Sequence, residues 1–497
     1  MQSLRQCAFI TVLAVTAALV TGCGSSTQSS ASSASAAEAI PAGALAYADV
    51  NLDRDSDAWK QLTDVGARFP GWQRVTDKLV KELDSGESGS TFSKDIEPWL
   101  GDRAAIALTG ISSDGPSFVV YVASTDDDAA KQTEERDKTV TADGSYKGYT
   151  QFKDEDGRVA VGNGAVLFAN DEATLHAAID AREGDVDSLA DDATFSAALE
   201  ALPAGSLVRG WANAPKLAQL TSLASLAELG DSVDAGQIQQ IAKGLDKLDS
   251  ASFALWATDG GYHATFRTKA KAGGDGGILD GVTFSSGLTD LVPSDAFGYL
   301  AFKATDKQIG DRLDATPALN AFERQTGISI QNDLVPMFTG ESLLYAGPGL
   351  PFRGALMLNP SDPKAAKAGL TRFVGALAKL NKDIRIIDLP DGGQRVELAP
   401  GMELFWRQVP DGPLVLGNDE AAGSEPAADL LSSAAYQTFM QKAGVGEGTV
   451  QFYLDVPSTL SFLPSLPPDA RPVGGVAMWS TQSGSTATVN LFVEIKG

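Results

Sequence analysis

The chain reads as α+β: two duplicated domains, each a mainly antiparallel sheet with helices packed on one face. Three observations predict this. Phe253–Phe266 recurs without a gap as Val476–Val489, with Ala254, Trp256, Thr258, Gly261, Ala264 and Thr265 returning as Ala477, Trp479, Thr481, Gly484, Ala487 and Thr488. That is one β-hairpin type closing two similar halves. The length of 497 residues exceeds what one core fills, since single cores stop growing near roughly 250 to 300 residues. Strand-rich blocks joined by tight turns, with helices between only some of them, favour antiparallel over parallel pairing.

Residues 1–22 read as a signal peptide, with Arg5 the only charged side chain before an apolar run from Ala8 to Val20. Val20-Thr21-Gly22-Cys23 follows at once. It resembles the lipobox of bacterial lipoproteins, and that resemblance implies cleavage before Cys23 and diacylation, with palmitate among the acyl groups, of its thiol. The Ser/Ala-rich stretch 23–39 is too polar and simple to pack and reads as a tether. As a flexible coil it would hold the body roughly 20 to 25 Å from the lipid surface.

A hydrophobic share of 43% and a charged share of 21% describe a globular body. The net charge of -25 excludes nucleic acid as a natural partner and would repel anionic lipid, so membrane attachment has to come from the lipid on Cys23. Both cysteines, Cys7 and Cys23, precede the folded body, which leaves no disulfide framework and no thiolate metal site. No cofactor is implied.

The first repeat is expected over residues 40–270. Pro41-Ala42-Gly43 opens an alternating strand, Ala44 to Leu52. A helical segment from about Asp55 to Leu83 follows, interrupted at Pro70. Asp53, Asp55 and Asp57 superficially resemble a calcium loop, but Ala58 stands where the turn needs Gly, so they read as an acidic helix start. The block Asp95-Ile96-Glu97-Pro98-Trp99-Leu100-Gly101-Asp102-Arg103 leads into a strand and has a counterpart in Asp333–Glu341. In it, Pro98 should end a short helix, Gly101 should turn the chain, and Trp99 should cover the core. With the Pro41–Tyr47 opening, this block resembles a family of exported bacterial proteins known as domain of unknown function 3352. That resemblance implies an envelope protein and supplies no catalytic residue.

Asp126 and Asp362 read as N-caps, and Asn170-Asp171-Glu172-Ala173 and Asn418-Asp419-Glu420-Ala421 as strand ends opening helical runs. Trp211, Asn213 and Pro215 recur as Tyr453, Asp455 and Pro457. The halves then diverge at a helical insert, 216–248, which carries Leu217, Leu220, Leu223, Leu226 and Leu229. Leucines every third residue step about 300°, so they drift round the helix through roughly 240°, and one flat sheet cannot bury them all. They either pack between the domains or line an apolar groove for a lipid or peptide. A Gly-rich linker, 271–289, leads to the second repeat, 290–497, opened by Pro293–Tyr299.

No Walker loop, Rossmann fingerprint or Gly-x-Ser-x-Gly elbow is present. Ser361-Asp362-Pro363-Lys364 matches the Ser-x-x-Lys of penicillin-binding proteins, yet its partner elements are missing and a helix cap explains it. His176 and His263 read as surface or satisfied residues. The features together favour a non-catalytic, lipid-anchored binding or interaction protein on the extracytoplasmic face of the cell membrane, with an apolar ligand or a protein partner. The alternative is an envelope hydrolase working through carboxylates or Ser361.

Overall fold

The computed structural model describes residues 34–84, 91–112, 115–155, 157–221, 244–271, 284–305, 309, 323–349, 352–380, 383–390, 392–399, 402–446, 448–461 and 472–497. Cys23 lies outside them. The chain divides into two compact units, Met1–Ile278 with Gly484–Thr486 and Ile495–Gly497, and Leu279–Ser483 with Ala487–Glu494.

The first unit is an antiparallel sheet. Its strands are β1 (Ala46–Asn51), β2 (Leu100–Ser112), β3 (Gly115–Ser124), β4 (Thr141–Tyr146), β5 (Tyr149–Lys153), β6 (Arg158–Gly162), β7 (Ala165–Ala169), β8 (Val208–Asn213), β9 (Leu248–Thr258) and β10 (Gly261–Ala270). Pairing runs β4-β5-β6-β7-β3-β2-β1-β8-β9-β10. The second unit has β11 (Gly298–Ala304), β12 (Gly340–Gly347), β13 (Arg353–Pro360), β14 (Arg385–Asp388), β15 (Gln394–Ala399), β16 (Met402–Gln408), β17 (Leu414–Gly417), β18 (Thr449–Asp455), β19 (Val473–Ser483) and β20 (Thr486–Ile495). Its order, β14-β15-β16-β17-β13-β12-β11-β18-β19-β20, matches the first strand for strand, as an internal duplication requires. Tyr47 lies opposite Trp211, and Tyr299 opposite Tyr453.

The repeated hairpins hold the same place in the two sheets, but not the same register. Trp211 faces Ser252 while Tyr453 faces Ala477, whereas the sequence alignment equates Ala477 with Ala254. The displacement is two residues. A two-residue slide returns each side chain to its original face, so the sequence likeness survives it.

The α+β class and antiparallel pairing are as expected, but helices in the first unit lie on both faces. The first helices are α1 (Ala34–Glu38), α2 (Asp57–Gly66), α3 (Trp72–Asp84), α4 (Asp127–Arg136), α5 (Glu172–Arg182), α6 (Ala193–Glu200) and α7 (Ala214–Thr221). Leu175 and Ile179 of α5 pack with Val119, Tyr121 and Leu167, while Ala130 of α4 packs with Val120, Val166 and Phe168. Neighbours along a strand point to opposite faces, so these are two separate cores. The cause is visible in β7, Ala-Val-Leu-Phe-Ala, buried at every position: an uninterrupted apolar run needs cover on both sides. Ala36, Ala37, Ala39 and Ile40 are also buried, so the packed body reaches back into the stretch read as tether.

Local chemistry explains the helix ends. Ser56 starts α2 by accepting from Trp59 N, and the break before α3 contains Pro70 and Gly71, the latter at φ +91°. Asp126 and Asp171 each accept from the backbone N–H groups that open α4 and α5. In the second unit α8 is Val335–Phe338, α9 Pro363–Leu380, α10 Ala434–Ala443 and α11 Val456–Leu460. Asp362 Oδ1 accepts from Lys364 N and Ala365 N at the start of α9. Asn418-Asp419 opens only a turn, because Gly423, at φ +80°, and Pro426 stop a helix there. Instead, Asp419 is buried and accepts from Tyr345 Oη at 2.7 Å.

The Asp95 and Asp333 blocks are single π-helical turns, Phe92–Ile96 and Ile330–Leu334. Each carboxylate accepts from the N–H at the turn's start, Thr91 or Ser329, and pairs with an arginine, Arg136 or Arg372. Gly101 is not a turn. It lies in β2, where a Cβ would stand 2.6 Å from the Ala123 Cβ, so glycine permits close strand approach.

One polar cluster ties the centre of the first sheet. Asp49 of β1, its side chain 1% exposed, accepts from Arg103 of β2 at 3.0 Å and Arg209 of β8 at 2.8 Å. Tyr47 Oη donates to the same carboxylate at 3.1 Å. Asp49→Ala leaves two half-buried guanidinium groups without their carboxylate and should lower unfolding free energy by about 3–5 kcal/mol. Asp55→Ala, at an exposed site, should change it by less than about 0.5 kcal/mol. Urea unfolding checks the contrast, and equal midpoints for the two variants would refute it.

Candidate functional site

Alternation along β1 sends Tyr47 and Asp49 to one face and Ala46, Ala48 and Val50 to the other. Beside Ala46 and Ala48 the pairing sets Leu108 and Ile106 of β2 and Ala212 and Gly210 of β8. Parts of this face are covered. Trp59 and Leu62 of α2 pack on Val50, Ala104 and Val208, and Trp99 with α4 covers Val120, Val166 and Phe168.

Beside these covers lies an apolar groove of about 530 Å³. Its floor is small: Ala46 and Ala48 from β1, Ala212 from β8 and Ala251 from β9. Ile106, Leu108 and Phe118 form one wall, and Phe253 and Phe266 the other. No lining residue is charged. The Phe253 ring lies down against β8 because residue 210 is glycine; a Cβ there would stand 2.0 Å from Phe253 Cε1. Phe266 keeps 38% of its surface exposed, which is a large apolar group for open solvent.

A second cavity, of about 90 Å³, lies among Phe92, Trp99, Val120 and Phe168 and is bordered by Glu134 of α4. Trp99 Nε1 and Thr133 Oγ1 both donate to the Asp95 carbonyl, at 2.6 and 2.7 Å, so their polar needs are met locally. Among the described residues nothing donates to the Glu134 carboxylate. Burial first, then the charges of Asp137 and Asp154, push its pKa up to about 7.

The residues singled out in the sequence are scattered. Ser361 and Lys364 are both exposed, and Asp362 between them caps α9. His263 is buried, stacked on Trp256 with Nε2 3.0 Å from Thr258 Oγ1, and burial pushes its pKa down to about 4. His176 stacks on Tyr146 at 4.0 Å. Leu217 is half-buried on α7, which packs on β9. The side chain of Leu220 and all of Leu223, Leu226 and Leu229 lie outside the described residues. The groove residues were missed as a site. Their signal was present in the alanines of the Ala44–Leu52 opening and in the aromatic ends of Phe253–Phe266, but nothing local says that those stretches meet.

Residues 7–248 match the family described as Protein of unknown function (DUF3352). The match supports that family for this stretch of the chain. The DUF3352 stretch includes β1 to β8 and the first residue of β9, and hence most of the groove's floor and one wall; Ala251, Phe253 and Phe266 come after its end. No curated protein matches the chain. Crystal forms III, IV and I of TP0453 resemble it with TM-scores of 0.27, 0.26 and 0.27 and identities of 8%, 8% and 11%. These likenesses cover 47%, 47% and 48% of this chain and 79%, 79% and 80% of that one, and at such scores they carry no functional argument.

Glu134 yields a pH prediction. Its folded pKa, about 7, lies above the ordinary 4.5, so the folded state holds the proton more tightly than the unfolded chain. Stability is therefore unpenalised below about pH 4, falls as pH rises between the two values, and is lowest above about pH 7. Glu134→Gln should stabilise the first unit at pH 8 by up to about 3 kcal/mol and leave it unchanged at pH 4. Thermal melts at both pH values measure this, and equal shifts at the two would refute it.

Proposed function

We propose that the chain is a lipid-anchored binding protein of the cell envelope whose first unit takes an apolar ligand in the groove over β1 and β8. The groove itself carries the reading. Its volume of about 530 Å³ falls in the usual range for small-molecule sites, roughly 300–1,000 Å³. Its lining has no charged group, and Tyr47, Trp211 and Ser252 border it from strand positions whose side chains point to the reverse face. An extended peptide laid there would bury backbone N–H and C=O groups with few partners, at a cost of about 1–3 kcal/mol each, whereas hydrocarbon demands none.

Attachment rests on the lipobox-like Val20–Cys23. Among the described residues no helix is long and apolar enough to cross a membrane. A diacylated Cys23 would supply two hydrocarbon chains, enough for stable anchoring. The proposed place is the extracytoplasmic face of the cell membrane.

Two measurements test this reading. Full-length protein should bind radiolabelled 1-hexadecanol saturably, and Phe266→Asp, at a partly exposed wall position, should weaken binding at least tenfold with little change in melting temperature. Absence of saturable binding to the unsubstituted chain would overturn the groove assignment. Separately, Cys23→Ala should move the protein from the membrane to the soluble fraction in a cell that processes lipoproteins. Its retention on membranes after a high-salt wash would refute the single covalent anchor.

A further inference from the structure

The two sheets share their strand order, so each groove position has a counterpart in the second unit. With Tyr47 matched to Tyr299, Ala48 corresponds to Leu300, Gly210 to Phe452 and Ala212 to Leu454. The next strand continues the trend, Ala251 corresponding to Val476. On the other side Leu108 and Phe118 correspond to the smaller Ala346 and Gly354, while Ile106 keeps its size as Leu344. The first sheet is therefore small along β1 and β8 and tall on either side, a trough. The second is raised at Leu300 of β11 and at Phe452 and Leu454 of β18, although Ala46 corresponds to Gly298, and Leu300 is 38% exposed.

We infer that Ala48 and Ala212, helped by Gly210, set the depth and width of the trough and so select a single unbranched hydrocarbon chain of an uncharged lipid. This rests on the groove reading above. The second unit demonstrates that the same strand positions hold leucine and phenylalanine within the same pairing, so the fold does not require small residues there. Their effect is on shape. Strands spaced about 4.8 Å apart put the backbones of β2 and β9 about 14 Å from each other. Between Leu108 and Phe118 on one side and the Phe253 and Phe266 rings on the other, a straight chain takes less room than a methyl-branched one. The uncharged lining also decides the chemistry, because a buried carboxylate or phosphate would meet no cation and would lose its hydration.

The test compares 1-hexadecanol with its methyl-branched relative phytanol on the full-length protein. The unsubstituted chain should bind hexadecanol at least tenfold more tightly than phytanol. Ala48→Leu with Ala212→Leu should lose at least tenfold in hexadecanol binding while melting within a few degrees of the parent. If the double variant does not fold, Ala48→Val alone should give a smaller loss in the same direction. Unchanged hexadecanol binding in a folded floor variant, with Phe266→Asp still weakening it, would overturn the floor's role and leave the groove reading standing. No hexadecanol binding to any variant would overturn both. A dimer at micromolar concentration that Phe266→Asp dissociates and hexadecanol does not would overturn the lipid assignment in favour of a second copy of this chain.

Discussion

The Asp49 carboxylate is the interaction on which the first unit depends. It draws Arg103 and Arg209 from the flanking strands onto one buried group, with Tyr47 completing the set. Those three strands, β2, β1 and β8, are also the ones whose opposite side forms the trough. A floor made of alanine and glycine supplies little packing of its own, since buried area per residue is small. The rigidity of such a floor has to come from the reverse face, where Tyr47 meets Phe195 edge-on at 5.1 Å and Phe195 meets Trp211 at 5.4 Å. Charge-assisted pairing and aromatic packing on one side thus free the other side to stay shallow. The second unit has no such cluster at the same place. Ala301 stands where Asp49 does, and Glu341 and Gln451 stand where the arginines do. Glu341 accepts from Ser286 Oγ and Leu288 N, while Gln451 donates to Ser480 Oγ. The sheet's polar centre has been kept and its contents exchanged.

What the sequence disclosed follows from the range of each interaction. Caps are local, so Asp126, Asp171 and Asp362 could be assigned from two or three neighbouring residues, and each accepts the backbone N–H groups expected of it. Strand alternation is nearly as local, which is why the Ala44–Leu52 segment reads as a strand. Asn418-Asp419 misled because its likeness to Asn170-Asp171 ends after four residues, before Gly423 and Pro426 decide the backbone. The matching asparagines do play one part in both units: Asn170 accepts from Phe118 N, and Asn418 from Gly354 N.

The groove was illegible for the opposite reason. Its floor is assembled from β1 and β8, which stand more than 150 residues apart along the chain, and alanine gives no signal of its own because it suits cores, helices and surfaces alike. The two-residue displacement of the hairpin could not be read either, because a period of two makes register slips of that size invisible to a pattern of alternating residues. The presence of helices on both faces was legible in part, in the unbroken apolar run of β7, although a short apolar run alone does not say what covers it.

Charge bears on the proposed ligand as well as shape. A chain with a net charge of -25 disfavours anionic ligands in general, an effect that salt screens beyond about 8–10 Å. A fatty-acid carboxylate or a phosphate would be disfavoured by that net charge and would meet no cation in the groove lining. A hydroxyl, ester or glycosyl head would not be repelled. The apolar interior, for its part, discriminates only through contact and the removal of apolar surface from water, at about 25 cal/mol per Å², a force blind to chemical detail. Under the proposed reading, selection by such a site would have two sources: the net negative charge would disfavour anions, and the alanine floor would limit thickness. Neither needs a specific hydrogen bond, which is consistent with a groove whose lining contains so few polar groups.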